Sequence, residues 1–289
     1  MLSSNAELWI RAIVFFSLFF IIWGWELKNP ARTLSLPRLT RWRANLSILI
    51  IDIFVVRLCF PMAAVGFAVV AQQQGYGLMT SVEWPLMIQI PLSILLLDLI
   101  IYWQHRISHL WPMLWRFHKV HHADLDYDLT TGTRFHPVEI VFSMLVKLAA
   151  IIIIGPPVIA VLIFELILIG MAIFNHANAR LPQFIDKQIR KILVTPDMHR
   201  VHHSSIRDET DSNFGFNLSI WDKLFNTYRA QPTLGHQGMT IGLDEYRNPR
   251  QSASVLGMLT MPFTRPRGAH PESDGQSEQN WTKDNHGPS

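Results

Sequence analysis

Three short histidine clusters stand out in the sequence: HRISH at residues 105–109, HKVHH at 118–122 and HRVHH at 199–203. Together they hold eight of the 13 histidines of the chain. Because residues three and four apart share one face of a helix, each cluster can direct two or three imidazole rings towards one point. Neutral imidazole is a common ligand of iron, zinc, copper and nickel. Eight rings exceed what one ion can use, so the spacing predicts a site for two metal ions.

Long apolar segments surround these clusters. Hydrophobic residues make up 49% of the 289 residues, whereas charged residues make up 16%, well below the roughly 25% of a typical soluble domain. A membrane-spanning helix needs about 20 largely apolar residues. The segments that meet this need are 8–24, 47–71, 85–103, 138–154 and 157–175. We therefore predict an all-α, multi-pass membrane protein with about five spans.

The loops between the spans differ in charge. Residues 25–45 carry five lysines and arginines against one glutamate, residues 104–137 are also basic, and residues 72–84 contain neither lysine nor arginine. This alternation follows the positive-inside rule and places the basic loops in the cytosol. The three clusters follow the third and fifth spans, so they reach the same face. We expect a cytosolic, histidine-rich, metal-binding helical cap on a plasma or inner membrane in a bacterium, or on the endoplasmic reticulum in a eukaryote.

The basic residues flank the spans instead of forming a separate patch, so the net charge of +3 does not indicate a nucleic-acid partner. Residues 1–248 are predicted to form one membrane domain that contains the clusters at 105–122 and 199–203. Residues 249–289 are rich in Pro, Gly, Ser, Gln and charge. Such a composition buries too little apolar surface to fold alone, so we expect a disordered polar tail.

The motifs around the clusters resemble the membrane fatty acid hydroxylase / sterol desaturase superfamily. The resemblance extends over roughly residues 85–230. It rests on the ordered clusters and on flanking motifs, namely WQHR (103–106), LWRFH (114–118), RFHP (134–137), TPDMHRVHH (195–203) and WDKLF (221–225). The family usually carries Gly-Thr-Tyr after the last motif, where this chain has Asn226-Thr227-Tyr228.

The resemblance implies a membrane-bound, non-haem di-iron oxidoreductase that uses O2 and external electrons to hydroxylate or desaturate a C–H bond of a lipid. A histidine at the place of His176 often completes the metal set in this family. The expected metal ligands are His105, His109, His118, His121, His122, His176, His199, His202 and His203. His136 stays open as a ligand or as a partner of one, whereas His236, His270 and His286 are not expected to bind metal.

Further expectations concern the surroundings of the site. Asp124 and Asp197 are the carboxylates nearest to the clusters in sequence and are candidates to orient imidazoles, while Asp222 is expected to anchor a loop. The sequence contains no cytochrome domain and no flavin or NAD fingerprint, so the expected electron donor is a separate protein of the cytochrome b5 or ferredoxin type with its reductase. Two alternatives remain: a zinc-dependent membrane hydrolase that acts on a lipid, and a non-enzymatic haem- or metal-binding membrane protein.

Overall fold

The structure, a computed structural model, describes residues 4–264 and is helical across that range. The helices of the first part are α1 (Ser4–Lys28), α2 (Arg38–Cys59), α3 (Ala64–Gln73), α4 (Leu86–Leu110), α5 (Pro112–His122), α6 (Pro137–Ile154) and α7 (Val158–Asn175). Shorter helices follow: α8 (Gln183–Ile189), α9 (Pro196–His202), α10 (Arg207–Thr210), α11 (Ile220–Leu224), α12 (Gly235–Gly238), α13 (Pro249–Ser252) and α14 (Val255–Thr260). Residues 4–264 form isolated β-bridges but no strand, which confirms the predicted all-α class.

Five helical segments are long and apolar enough to cross a membrane, as predicted. They are Ala6–Lys28, Arg38–Ser81, Leu86–Leu110, Pro137–Ile154 and Val158–Asn175, and the chain is a multi-pass membrane protein. The second segment is not one continuous helix, because it is interrupted between α2 and α3. Pro61 lies in this break, and proline has no backbone N–H with which to continue a helix.

One end of the helix bundle is closed by two glycine turns. Gly155 ends α6 in the left-handed conformation with φ 65°. A Cβ atom on Gly77 would lie only 2.1 Å from the backbone nitrogen of Gly155. The loop after α3 therefore lies directly against the turn between α6 and α7. This contact puts residues 72–84 and 155–157 at the same end, as the charge pattern predicted.

The opposite end carries the cap. The 18 residues of α7 separate Gly155 from His176 by roughly 27 Å, about the thickness of a bilayer core. At this end Pro30 forms a β-bridge with Ala179, and Arg41 at the start of α2 forms an ion pair with Asp124. The loop 28–37, the segment 111–136 and the chain after His176 thus meet at one end of the spans.

The end of the described chain differs from the expectation of a disordered tail from residue 249. Residues 249–264 form α13, α14 and a final 3-10 turn. Met258 and Met261 are buried in a cluster with Ile48 of α2 and Val120 of α5. The sequence was misleading because the short apolar run at residues 255–263 lies in a region that is otherwise rich in polar residues. Residues 265–289 lie outside the described residues.

This packing predicts that residues 249–264 stabilise the cap. Truncation after residue 248 should lower the thermal unfolding temperature by several degrees, because it removes two buried methionines that stabilise by roughly 1.5–3 kcal/mol each. Truncation after residue 264 serves as the control and should leave that temperature nearly unchanged. Equal unfolding temperatures for the two truncated proteins would contradict the packing role of α14.

Candidate metal centre

Nine buried histidines meet at the cap end of the bundle in two neighbouring groups. Group one consists of His105, His109, His118, His122 and His202, and group two of His121, His176, His199 and His203. Within each group the facing nitrogens all lie within 4.8 Å of one another. The structure thus brings together all nine positions that the sequence singled out. Within residues 4–264, no cysteine or carboxylate belongs to either group.

Each HxxHH cluster is divided between the two groups. His118 and His122 enter group one while His121 enters group two, and in the later cluster His199 and His203 enter group two while His202 enters group one. A helix turns roughly 100° per residue. Viewed along the helix axis, position 5 of the cluster therefore lies about 40° to one side of position 1, and position 4 lies about 60° to the other side of position 1. A single helix turn therefore supplies both groups, rather than one point as the spacing first indicated.

The two groups are close neighbours. The rings of His122 and His203, which belong to different groups, stack with centroids 4.6 Å apart. His121 likewise approaches His118 of the other group at 5.5 Å between centroids. Two ions held by the groups would therefore occupy one shared centre.

Hydrogen bonds made by the outward-facing nitrogens determine which nitrogen of each ring carries the proton. Nδ1 of His105 donates to the carbonyl oxygen of Phe214 at 2.7 Å, and Nδ1 of His202 donates to that of Ser212 at 2.7 Å. In group two, Nδ1 of His121 and of His176 donate to carbonyl oxygens at 3.1 Å and 2.8 Å. A carbonyl oxygen can only accept, so each of these rings carries its proton on Nδ1. Nε2 then presents a lone pair to the centre of the group.

Facing lone pairs indicate a cation between the rings. Nε2 of His105 lies 3.0 Å from Nε2 of His202, and Nε2 of His176 lies 3.3 Å from Nε2 of His121. No proton is left to bridge either pair. Two nitrogens bound to one ion at about 2.1 Å and at roughly 90° to each other lie about 3.0 Å apart. The donor set therefore fits a metal ion in each group, and the buried Nε2 atoms of His109 and His203, which have no hydrogen-bond partner in the described structure, fit it as well.

Burial keeps His176 and His202, which lie outside the spans, neutral. It lowers the pKa of His176 to about 3, although the hydrogen bond to the Ala172 carbonyl oxygen acts in the opposite direction. Burial likewise lowers the pKa of His202 to about 3 against its bond to Ser212. A ring with a lowered pKa stays unprotonated at neutral pH, which is the form that binds a metal ion.

Two carboxylates orient histidines, and they are not the expected ones. Oε1 of Glu139 accepts from Nδ1 of His118 at 2.6 Å, and Oδ1 of Asp211 accepts from Nδ1 of His109 at 3.2 Å. Asp197 instead forms an ion pair with Arg200. Proximity in sequence to the clusters did not predict these carboxylates, because Glu139 and Asp211 reach the rings from α6 and from the loop after α10.

Asp124, the other expected carboxylate, belongs to a buried network behind the site. Both its oxygens accept from the Arg41 guanidinium, at 2.9 Å and 2.7 Å. Burial opposes the ionisation of Asp124, but Arg41 outweighs it and holds the pKa of this carboxyl below its usual range. The network continues through Asn45 to Arg134, whose backbone carbonyl oxygen accepts from His121. Asp124 thus supports a ligand position without contacting the ring.

A second support fixes the loop 212–222, which supplies carbonyl oxygens to His105 and His202. Asp98, buried in α4, accepts from Asn217 at 2.7 Å, from Trp221 Nε1 at 2.8 Å and from the Leu218 amide at 3.2 Å. Asp222 anchors the same loop, as expected, by accepting from the amides of Phe214 and Gly215. Asp98 was not predicted from the sequence, because an acid inside a span has no obvious partner before the fold is known.

Two further histidines of the described residues, His136 and His236, lie outside both groups. His136 caps α6 through Nδ1, which accepts from the Val138 amide, and lies outside both groups. His236 lies 4.0 Å from Asp197 and also outside the groups, while His270 and His286 fall outside the described residues. Asn226 adopts φ 56°, a left-handed conformation that asparagine tolerates nearly as glycine does. Asn226 can therefore form the turn at the position where the resembled family usually carries glycine.

The partner of His118 predicts a matched pair of variants. Glu139→Ala should weaken metal binding about 10- to 100-fold, because an unsupported imidazole loses its orientation and basicity. Asp197→Ala should leave metal affinity unchanged, since Asp197 contacts no ring of either group. Titration of the metal-free protein with a competing chelator measures both. Equal affinities in the two variants would contradict the role given to Glu139.

Comparisons with known proteins agree with this centre. The family model described as fatty acid hydroxylase matches residues 90–227. The ornithine lipid hydroxylase OlsE of Rhizobium tropici is 27% identical over 183 residues, which are 63% of this chain and 53% of that protein. The alkylglycerol monooxygenase of Homo sapiens is 34% identical over 143 residues, 48% of this chain and 30% of that protein. That of Danio rerio is 32% identical over 149 residues, 52% of this chain and 32% of that protein.

The chain spans about half the length of the first of these relatives and about a third of the other two. No solved structure matches it. The matched region contains all nine clustered histidines and the Asn226 turn. On these findings, residues 90–227 of the chain are similar to the fatty acid hydroxylase family.

Proposed function

We propose that this protein is a membrane-bound lipid hydroxylase that uses two iron ions and O2. The single observation that carries the proposal is the pair of all-imidazole groups at one end of the spans. The relatives, a lipid hydroxylase and monooxygenases, support hydroxylation over desaturation. The family supports iron as the metal.

The donor set favours iron over the zinc alternative. A catalytic zinc typically takes three protein ligands and a water, whereas groups of five and four imidazoles exceed that need. Imidazole suits iron equally well. When bound, two iron ions would supply the activation of O2 that an unactivated C–H bond requires. The protein would hold the imidazoles through the carbonyl oxygens and carboxylates described above and keep water out of the buried centre.

The proposed reaction requires an electron donor and a lipid substrate. Insertion of one oxygen atom of O2 into a C–H bond, with the other atom leaving as water, consumes two electrons and two protons. We propose that a separate protein of the cytochrome b5 or ferredoxin type delivers the electrons. The substrate is a membrane lipid. The histidine groups lie level with the cap ends of α4 and α7. A lipid that lies along the spans would therefore present the carbon atoms near its headgroup to the histidine groups.

The proposal is tested with the purified full-length protein, a reductant and lipid extract under 18O2. Mass spectrometry should find product that carries one labelled oxygen, and metal analysis should find about two iron ions per chain. His122→Ala should abolish labelled product and lower the iron content, because it removes a ring from group one. The control His236→Ala should retain both.

Several outcomes decide against the proposal. Product that forms without O2 and returns on addition of zinc after chelation would favour the hydrolase. A haem absorption spectrum without labelled product would favour the non-enzymatic alternative. Full activity in the His122→Ala protein would remove the proposed centre.

We also propose that the cap faces the cytosol, which the basic loops favour. Single cysteines at Arg116 on the cap and at Gln74 on the opposite end, both exposed, would be introduced after Cys59→Ser. A membrane-impermeant thiol reagent added to intact cells should label position 74 and spare position 116, and cell lysis should expose 116. The reverse pattern would invert the orientation, and labelling of both positions in intact cells would contradict the shared topology.

A further inference from the structure

A pocket of about 410 Å³ lies where the first span ends, away from both histidine groups. Its floor contains Glu26 and Leu27 from the last turn of α1, and its walls come from the loop 30–38 and from residues near Asn178. The volume is in the range of pockets that bind small ligands. The histidine groups share no lining residue with it.

The pocket carries a net positive charge. Arg32, Arg38 and Arg180 line it, and Glu26 is its one acidic residue, which gives a formal charge of +2. Arg32 donates to backbone carbonyl oxygens, including that of Met239, and to no carboxylate. No carboxylate of the described residues lies within ion-pair distance of Arg180, which is exposed. Two of three guanidinium groups therefore lack a neutralising partner.

The remaining pair is incomplete. Glu26 is fully buried, and its Oε1 already accepts the amides of Leu129 and Asn178 at 2.8 Å and 2.9 Å. Its Oε2 accepts no hydrogen bond and lies 3.7 Å from the Arg38 guanidinium, whose Nε is also buried without a partner. Arg38 therefore keeps donor capacity for a ligand, since the contact with Glu26 is too long for a hydrogen bond.

The surroundings favour a lipid as the source of that ligand. Leu27, which lines the pocket, Phe20 and Phe16 are 56%, 57% and 56% exposed. Spaced by seven and four residues, they lie on one face of α1. This apolar stripe runs from the pocket along the span, where an acyl chain can lie against it. A group held by the arginines would sit at the depth of lipid headgroups, because the pocket lies at the end of the span.

We propose that this pocket binds the phosphate group of an anionic phospholipid in the cap-side leaflet. Arginine recognises phosphate through paired N–H donors, and basic pockets at the cytoplasmic ends of membrane helices bind anionic headgroups. The site is separate from the proposed catalytic centre. Its ligand fastens the loop 30–38 to α1 and to the segment after His176.

The test is native mass spectrometry of the delipidated full-length protein titrated with dioleoylphosphatidylglycerol, dioleoylphosphatidylcholine or inorganic phosphate. The wild-type protein should bind the anionic lipid roughly tenfold more tightly than the zwitterionic one, because the pocket is positively charged. The double variant Arg38→Gln/Arg180→Gln should weaken binding of the anionic lipid roughly 10- to 30-fold. The exposed Arg180→Gln alone should weaken it several-fold, which keeps the test valid if the double variant folds poorly.

The matched control is Arg43→Gln/Arg116→Gln, which removes the same charge from two exposed cap arginines outside the pocket. It should bind the anionic lipid like the wild type. Equal binding of both lipids, equal loss in the control, or no loss in the single and double pocket variants would overturn the proposal. Displacement of the lipid by an equal concentration of phosphate would assign the pocket to a free anion and overturn the lipid. Iron content and labelled product are measured separately, so failure here leaves the hydroxylase proposal standing.

Discussion

Mutual repulsion between imidazole lone pairs is the constraint around which the cap is built. Inward-facing lone pairs would move apart or bind protons if nothing held the rings, and six of the nine rings are held through their outward nitrogens. Backbone carbonyl oxygens accept from His105, His121, His176 and His202, and carboxylates accept from His109 and His118. Each acceptor keeps the ring proton on the outward Nδ1, so the inward nitrogen retains its lone pair. The same contacts therefore set both the position and the protonation of the rings.

The acceptors are in turn held by buried polar groups, which explains why the cap is so polar inside. The loop 212–222 depends on Asp98 and Asp222, and the segment 123–134 depends on Arg41 and Asp124. Buried charges are costly unless they are paired and hydrogen-bonded, and these four have partners. Since Asp98 lies within a span, an interaction inside the membrane segment fixes a ligand outside it. The spans and the cap consequently form one structural unit.

Periodicity and charge made much of this predictable. The HxxHH spacing placed the rings, the apolar segments gave the five spans, and the alternation of basic loops placed all clusters at one end. Contacts across the fold could not be read in that way. Glu139 is 21 residues from His118 and Asp211 is 102 residues from His109, so no local pattern links them. The short apolar run at residues 255–263 did not mark residues 249–264 as folded, because the burial of Met258 and Met261 depends on surfaces of α2 and α5.

The division of each HxxHH cluster between the two groups has a mechanical consequence. His121 and His122 are adjacent residues on α5 yet face different groups. His202, the last residue of α9, and His203, which follows it, repeat this arrangement. Rotation of either helix about its axis would bring one ligand nearer to its group while withdrawing the other. Neither half of the proposed centre can therefore be tuned alone. The distance between the two histidine groups is therefore set by the pitch of these helices.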